Sequence, residues 1–225
     1  AGVQSPAHLG IVYPGKRADN NITGIAIGDF NYEDSLTTLL SLKDGVKRVL
    51  LPYNPKGAWL AHHAAEFTRL LCAQDIELYA LPVTSPEDVR TKIMPFMHDV
   101  DTIMTMRDDV VVNSMDNIID TCNNYGVTLY SADLESVEQG AALGFAIKDV
   151  ESGTEISQYI LHLFKDHAAP HELPIKTLST RWFVGINEQT ATKQGVDLSK
   201  TSLESVGEAI IFKGKENDGA NEKNE

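Results

Sequence analysis

From residue 46 onward the chain alternates short β-rich runs with stretches of helical period, and few folds accommodate that rhythm. Residues Lys47–Tyr53 (KRVLLPY) form the first run. A helix follows over Trp59–Cys72, with apolar positions at Leu60, His63 or Ala64, Phe67, and Leu70 or Leu71. Ile76–Val83 reads as a second strand. Ser85 with Glu87 and Asp88 then opens a short helix to about Met97, because hydroxyl and acidic groups satisfy the free N–H groups of a helix start. Val100–Thr105 is the third strand. The spacing predicts one helix over Val110–Tyr125, with Val111, Val112, Met115, Ile118, Ile119 and Cys122 on its buried side and Gly126 as its stop. Val127–Tyr130, a short helix through Val137, Ala141–Ile147 and a helix over Gly153–Phe164 complete the series. Strands joined by helical crossovers predict an α/β fold: a doubly wound parallel sheet, complete by about residue 166.

The remaining pieces do not make a second such unit. Ile22–Ile27 and Leu178–Ile186 are strand-like, while Tyr32–Leu42 and Glu188–Gln194 are helical. The final KGKENDGANEKNE has no apolar anchor beyond Phe212 and is expected to be disordered. With 225 residues, 42% of them hydrophobic, the chain can bury a sizeable core. Its net charge of −13, from 19 Lys and Arg against 32 Asp and Glu, argues against a nucleic-acid partner, whose affinity would rest on basic residues. No apolar run approaches the roughly 18 to 20 residues of a membrane-spanning helix. The opening AGVQSPAHLG has neither the charged start nor the apolar centre of a signal peptide, so either the chain is cytoplasmic or an export segment has been removed.

Ligands on open parallel sheets bind beyond the carboxyl ends of the strands. Here those connections are Asn54-Pro55-Lys56-Gly57, Arg107-Asp108-Asp109 and Ser131-Ala132-Asp133, all polar and close to helix starts, where free N–H groups suit a carboxylate or phosphate. Asp108 is suited to a ligand ammonium or to capping the next helix, and Arg107 to gripping a carboxylate with its forked donors. Trp59 can stack on a flat ligand or cover the edge of the core, and Tyr53 and Asn54 share that location. The Ser131 hydroxyl can donate to a ligand. Asp133 next to it is also a good cap.

Four segments resemble the periplasmic ABC-transporter substrate-binding proteins that include tryptophan- and tyrosine-binding members. Asn21-Ile22-Thr23-Gly24 looks like that family's NITG turn, and Val49–Pro55 (VLLPYNP) resembles its first strand and turn in the second lobe. Ser131–Gly140 (SADLESVEQG) and Asn187–Leu198 (NEQTATKQGVDL) are similar to its later helix start and closing signature, and Leu173-Pro174 falls where the family approaches its last crossover. The resemblance implies two α/β lobes joined by several crossings, with a ligand in the cleft between them and Asn21 and Thr23 added to the binding set. It implies a complete second lobe over 46–166, a partial first lobe and hinge over 1–45 and 167–202, and a C-terminal extension over 203–225 with a disordered tail. The family's first lobe begins with several strand–helix units before the NITG turn, whereas twenty residues precede Asn21, so the expectation is a chain lacking most of that lobe. Gly57-Ala58-Trp59 also departs from the Asn and Ser that amino-acid-binding members carry at this helix start.

The implied function is capture of a small organic molecule, with an amino acid as the family-based guess, in the periplasm or at the cell surface, for delivery to an ABC permease. The alternatives are a sensory or regulatory module of the same fold, able to dimerise through its incomplete lobe, and a truncated remnant that binds nothing. No enzyme, cofactor or metal is expected: G-x-S-x-G, H-E-x-x-H and P-loop patterns do not occur, and adjacent His62 and His63 point about 100° apart on a helix. Cys72 and Cys122 are read as buried thiols on helices at opposite faces of the sheet, too far apart to bond. The unreduced chain should therefore give the mass of the fully reduced sequence, and a mass lower by one hydrogen per cysteine would overturn that placement.

Overall fold

The structure, a computed structural model, describes residues 2–4, 21–27, 30–178, 181–196, 198 and 209–213. The chain runs through β1 (Gly2–Gln4), β2 (Ile25–Ile27), α1 (Tyr32–Leu42), β3 (Arg48–Tyr53), α2 (Ala58–Cys72), β4 (Glu77–Pro82) and α3 (Pro86–Ile93), which ends in a 3-10 turn at Met94–Phe96. It continues with β5 (Thr102–Thr105), α4 (Asp109–Val112), α5 (Met115–Tyr125), β6 (Thr128–Ser131), α6 (Leu134–Gln139) and β7 (Leu143–Ala146). Then come α7 (Asp149–Lys165), β8 (Lys176–Thr177), β9 (Phe183–Asn187), α8 (Glu188–Lys193) and β10 (Ala209–Phe212).

These strands form two sheets. The larger has the order β10-β9-β7-β6-β5-β3-β4, and the smaller β1-β2-β8. Strands β4, β3, β5, β6 and β7 are mutually parallel, whereas β9 pairs antiparallel to β7 and carries β10 parallel to itself. β5, β6 and β7 are buried at every position because both of their faces are covered, as in parallel sheets, and the hydroxyls of Thr102, Thr105, Thr128 and Ser131 are hydrogen-bonded there. On β3, Val49 and Leu51 pack with α1 and α2 in one core, while Leu50 enters a second core with α3, α5 and α6. Met104 and Ile103 of β5, and Tyr130 and Leu129 of β6, divide in the same way. Facing glycines admit α6 on the second side. Gly144 and Gly185 are register partners, and a Cβ on Gly144 would come within 2.5 Å of Val137, while one on Gly185 would come within 3.0 Å of Leu134.

Several sequence expectations are corrected. The helix over Val110–Tyr125 is two helices: the Ser114 hydroxyl donates to the Val110 carbonyl at 3.0 Å between them, and Val112 is 40% exposed instead of facing the core. Gly126 does take the left-handed stop, at φ 68°. Tyr32–Leu42 belongs to the larger sheet, since Leu36, Leu39 and Leu42 pack in its core. The strand expected over Leu178–Ile186 is Phe183–Asn187, which with Ala209–Phe212 extends the large sheet, so the unit does not close at residue 166. The helix of residues 149–165 leaves that unit and lies against β1 and β2. There the Tyr159 hydroxyl donates to the Pro174 carbonyl at 2.9 Å and Lys176 pairs with Glu155 at 2.5 Å. These contacts cross the expected lobe boundaries at 45/46 and 166/167, and the boundary at 202/203 lies outside the described residues. Cys72 is exposed, because its neighbour Leu71 takes the core position, while Cys122 is buried and its thiol pKa is pushed far up by that burial. The tail over 214–225 lies outside the described residues.

The closing signature has a structural reason. Asn187 caps α8 by accepting from Thr190 N and donates to the Val137 carbonyl at 2.8 Å. Gln194, fully buried, accepts from Leu129 N at 2.8 Å and donates to Asn123 Oδ1 and the Gly140 carbonyl. Replacing Gln194 by Ala orphans a buried strand N–H and two acceptors. The expected loss is about 3 kcal/mol of unfolding free energy in urea titration, and a change within error would remove Gln194 as a tie between these elements.

Candidate functional site

Helix α2 begins at Gly57, which supplies no side-chain cap, directly after the turn that follows β3. Side chains four residues apart share a helix face. Leu60, Ala64 and Leu71 face the sheet, and Trp59, His63 and Phe67 make an adjacent stripe that lines a recess. His63 is buried and its Nδ1 meets the Tyr32 hydroxyl, while Trp59 packs edge-on against it with centroids 5.1 Å apart. Its neighbour His62 is exposed.

The opposite wall comes from places where the chain passes between the two sheets: Phe30 before α1, Ile147 after β7 and Trp182 before β9. Trp182 stacks on Phe145 at 5.1 Å with planes 5° apart, and Phe30 meets Trp182 edge-on at 5.0 Å, both favoured arrangements of aromatic quadrupoles. The floor is formed just beyond β5 and β6 by Met106, Arg107 and Ala132. The recess encloses about 450 Å³ of atom-free space, the solvent at its open mouth included. It sits at the carboxyl ends of the parallel strands, the position expected of a ligand site on such a sheet.

Of the residues singled out in the sequence, Trp59 and Arg107 line this recess. Tyr53, Asn54, Asp108, Ser131, Asp133, Asn21 and Thr23 are not among the lining residues. Asp108, 2% exposed, accepts from Asn54 N at 2.6 Å and from Val110 N at 2.9 Å, capping α4 and tying the β3 turn to it. Asn54 accepts from Lys56 N through its side chain, and Tyr53 packs half-buried against the core. Ser131 is buried, accepts from Thr105 Oγ1 at 3.2 Å and donates to Asp133 Oδ2 at 2.9 Å. Asp133 caps α6, accepting from Ser136 N at 2.7 Å and from the Ser136 hydroxyl at 2.9 Å. Thr23 donates to the Leu173 carbonyl at 2.7 Å, which joins the NITG turn to the Leu173-Pro174 segment, and Asn21 is exposed. Beneath the recess, burial holds the Tyr130 phenol well above its usual pKa, opposed by its hydrogen bonding to Ser35.

Phe30, Phe67, Met106, Ile147 and Trp182 were not anticipated as lining. Phe67 was legible as the helical repeat of Trp59, two turns on. Phe30 and Trp182 carry no local signal, because their place depends on where the chain changes sheets. Asp108→Ala is expected to cost about 1 to 2 kcal/mol of stability through the lost cap, with Asp108→Asn recovering part of it. Unchanged unfolding free energy in Asp108→Ala would contradict the scaffold role.

Residues 1–210 match the family model described as ABC transporter substrate binding protein. No curated protein matches the chain in sequence. Among solved structures, the chain is similar to an ABC domain in complex with L-Trp from Streptococcus pneumoniae, at TM-score 0.81 and 18% identity, covering 93% of this chain and 70% of that one. A conserved domain protein from Vibrio cholerae gives TM-score 0.80 and 19% identity over 93% and 69% of the two chains. The ligand-free, open structure of a substrate-binding protein with adhesive properties from Clostridium difficile gives 0.68 and 16% over 94% and 70%. At these identities the likeness establishes the shared α/β periplasmic-binding-protein fold.

Proposed function

Because the chain belongs to the ABC transporter substrate-binding protein family, we infer that it captures one small organic molecule in the recess at the rim of its larger sheet and presents it for uptake. The family's general role is non-catalytic solute binding for a membrane permease, and proteins of this kind work outside the cytoplasm. One observation carries the choice of this recess: it is walled by α2 on one side and by residues from the sheet-to-sheet crossings on the other. A molecule held there touches the rim of the larger sheet and the segments that lead to the smaller one, so its binding energy can favour one course of those segments, as in hinge closure of periplasmic binding proteins.

The lining favours a ligand with a flat apolar body, because Phe30, Trp59, Phe67 and Trp182 present rings while Arg107 supplies a cationic group at the floor. The L-Trp bound by the pneumococcal protein makes aromatic amino acids the first class to test.

The chain has two tryptophans, Trp59 and Trp182, and both line the recess, so its whole indole emission originates at the proposed site. Titration with amino acids, short organic acids, nucleosides and sugars should produce a saturable emission change with one chemical class. The same class should raise the melting temperature, with about 2.7 kcal/mol of stabilisation at a hundred times Kd. A cooperatively melting protein in which no class moves either signal would refute the solute-binding reading of this recess.

A further inference from the structure

We propose that Trp182 is the specificity-determining residue of the recess, a fixed ring platform that selects a planar aromatic group over a saturated one of similar size; this rests on the solute-binding reading above. Trp182 is braced from behind. Its indole stacks on Phe145 with centroids 5.1 Å apart and planes 5° apart, and Phe145 is a 5% exposed residue of β7, so the platform stands on a strand of the larger sheet. Phe145 is not among the lining residues, so the side of the half-buried Trp182 that borders the recess is not the one used by that stack. Phe30 meets Trp182 edge-on at 5.0 Å and Phe145 edge-on at 6.1 Å. A ring over the outer face of Trp182 would lie much farther from Phe145 than from Trp182, so these similar distances put Phe30 beside the stack.

Trp59 is placed differently. It lies in the first turn of α2, whose Gly57 cap contributes no side chain, and among the described residues its ring contact is edge-on with His63, at 5.1 Å and 89°. Ordering a side chain on binding costs free energy, and Trp182, already held by two rings, has less of that cost left than Trp59. A ring laid on Trp182 extends an existing parallel stack, in the offset geometry that aromatic quadrupoles favour. A cyclohexyl group is puckered and has no quadrupole to match, although it carries more apolar surface than phenyl. Burial of area alone therefore favours the saturated ring, whereas a stacking platform favours the aromatic one. The sign of the preference separates the two, however the polar end of the ligand is held.

Matched pairs with different polar ends read that sign: 3-phenylpropanoate against 3-cyclohexylpropanoate, L-phenylalanine against L-cyclohexylalanine, 2-phenylethylamine against 2-cyclohexylethylamine, and uridine against 5,6-dihydrouridine. Affinities come from calorimetric titration of the full chain, with melting-temperature shifts as a second readout. In at least one pair the aromatic member is expected to bind about threefold or more tightly than its partner. Trp182→Leu should abolish or reverse that preference, Trp182→Phe should keep it, and Trp59→Leu should weaken both members alike while keeping it. A saturated member that matches or exceeds its aromatic partner in every pair that binds overturns the proposal, and the parent protein alone decides this, without any variant having to fold. A preference that survives in Trp182→Leu, or vanishes in Trp59→Leu, overturns it as well. An aromatic binder outside the pairs, such as L-tryptophan, should lose about threefold more affinity in Trp182→Leu than in Trp182→Phe, and equal losses count against the platform in the same way. Binding by non-aromatic compounds alone overturns the platform and leaves solute binding standing. Silence from the pairs and the wider panel overturns both.

Discussion

Burial of β3, β5 and β6 on both faces is the condition on which the rest of the molecule depends. A strand covered on both sides must fill every position with a side chain that needs no water, and Val49, Leu50 and Leu51 do so by alternating between two cores. The helices that supply those cores must then cross the sheet, so each strand ends in a turn at the same rim. The turns after β3, β5 and β6 converge there, and a recess at that rim has a floor as rigid as the strands beneath it.

Crowding several helix starts along one rim raises a hydrogen-bonding demand, because the first N–H groups of each helix lack partners within it. Asp108, Asp133 and Ser85 meet this demand for α4, α6 and α3 with side-chain oxygens. These polar residues of the rim are thereby drawn into the scaffold, and the described lining of the recess beside them is mostly rings and aliphatic surface, with His63 and Arg107. Trp59 lines it from the first turn of α2, whose Gly57 start contributes no side chain.

Aromatic packing pins the segments that pass between the two sheets to the larger one. Phe30 contacts Phe145 and Trp182; Phe145 belongs to β7 of the larger sheet, and Phe30 and Trp182 come from two separate passages between the larger and smaller sheets. Under the proposed function, a flat molecule beside Trp182 would press on one of the segments that join the two sheets.

Most strands and helices of the larger sheet were legible because their signals are local. Period-two and period-3.6 patterns, Ser85 before Glu87 and Asp88, and Gly126 after Tyr125 each act within a few residues. Trp59 and Arg107 were legible as site residues for a related reason, since the end of a parallel strand is a functional position in any fold of this class. Asp108, Ser131 and Asp133 were open to two readings because a carboxylate or hydroxyl at a helix start suits a cap and a ligand equally well. Which one it serves depends on the donors around it, and those come from turns up to 54 residues away in sequence. The sequence by itself determined the elements, the parallel arrangement of the inner strands and the rim at which a ligand site must lie. The tertiary structure alone decided that α1 and β9 join the large sheet, that α7 covers the small one, and that Phe30, Ile147 and Trp182 close the recess, because an amphipathic segment states that it has a face to bury and not which surface will bury it.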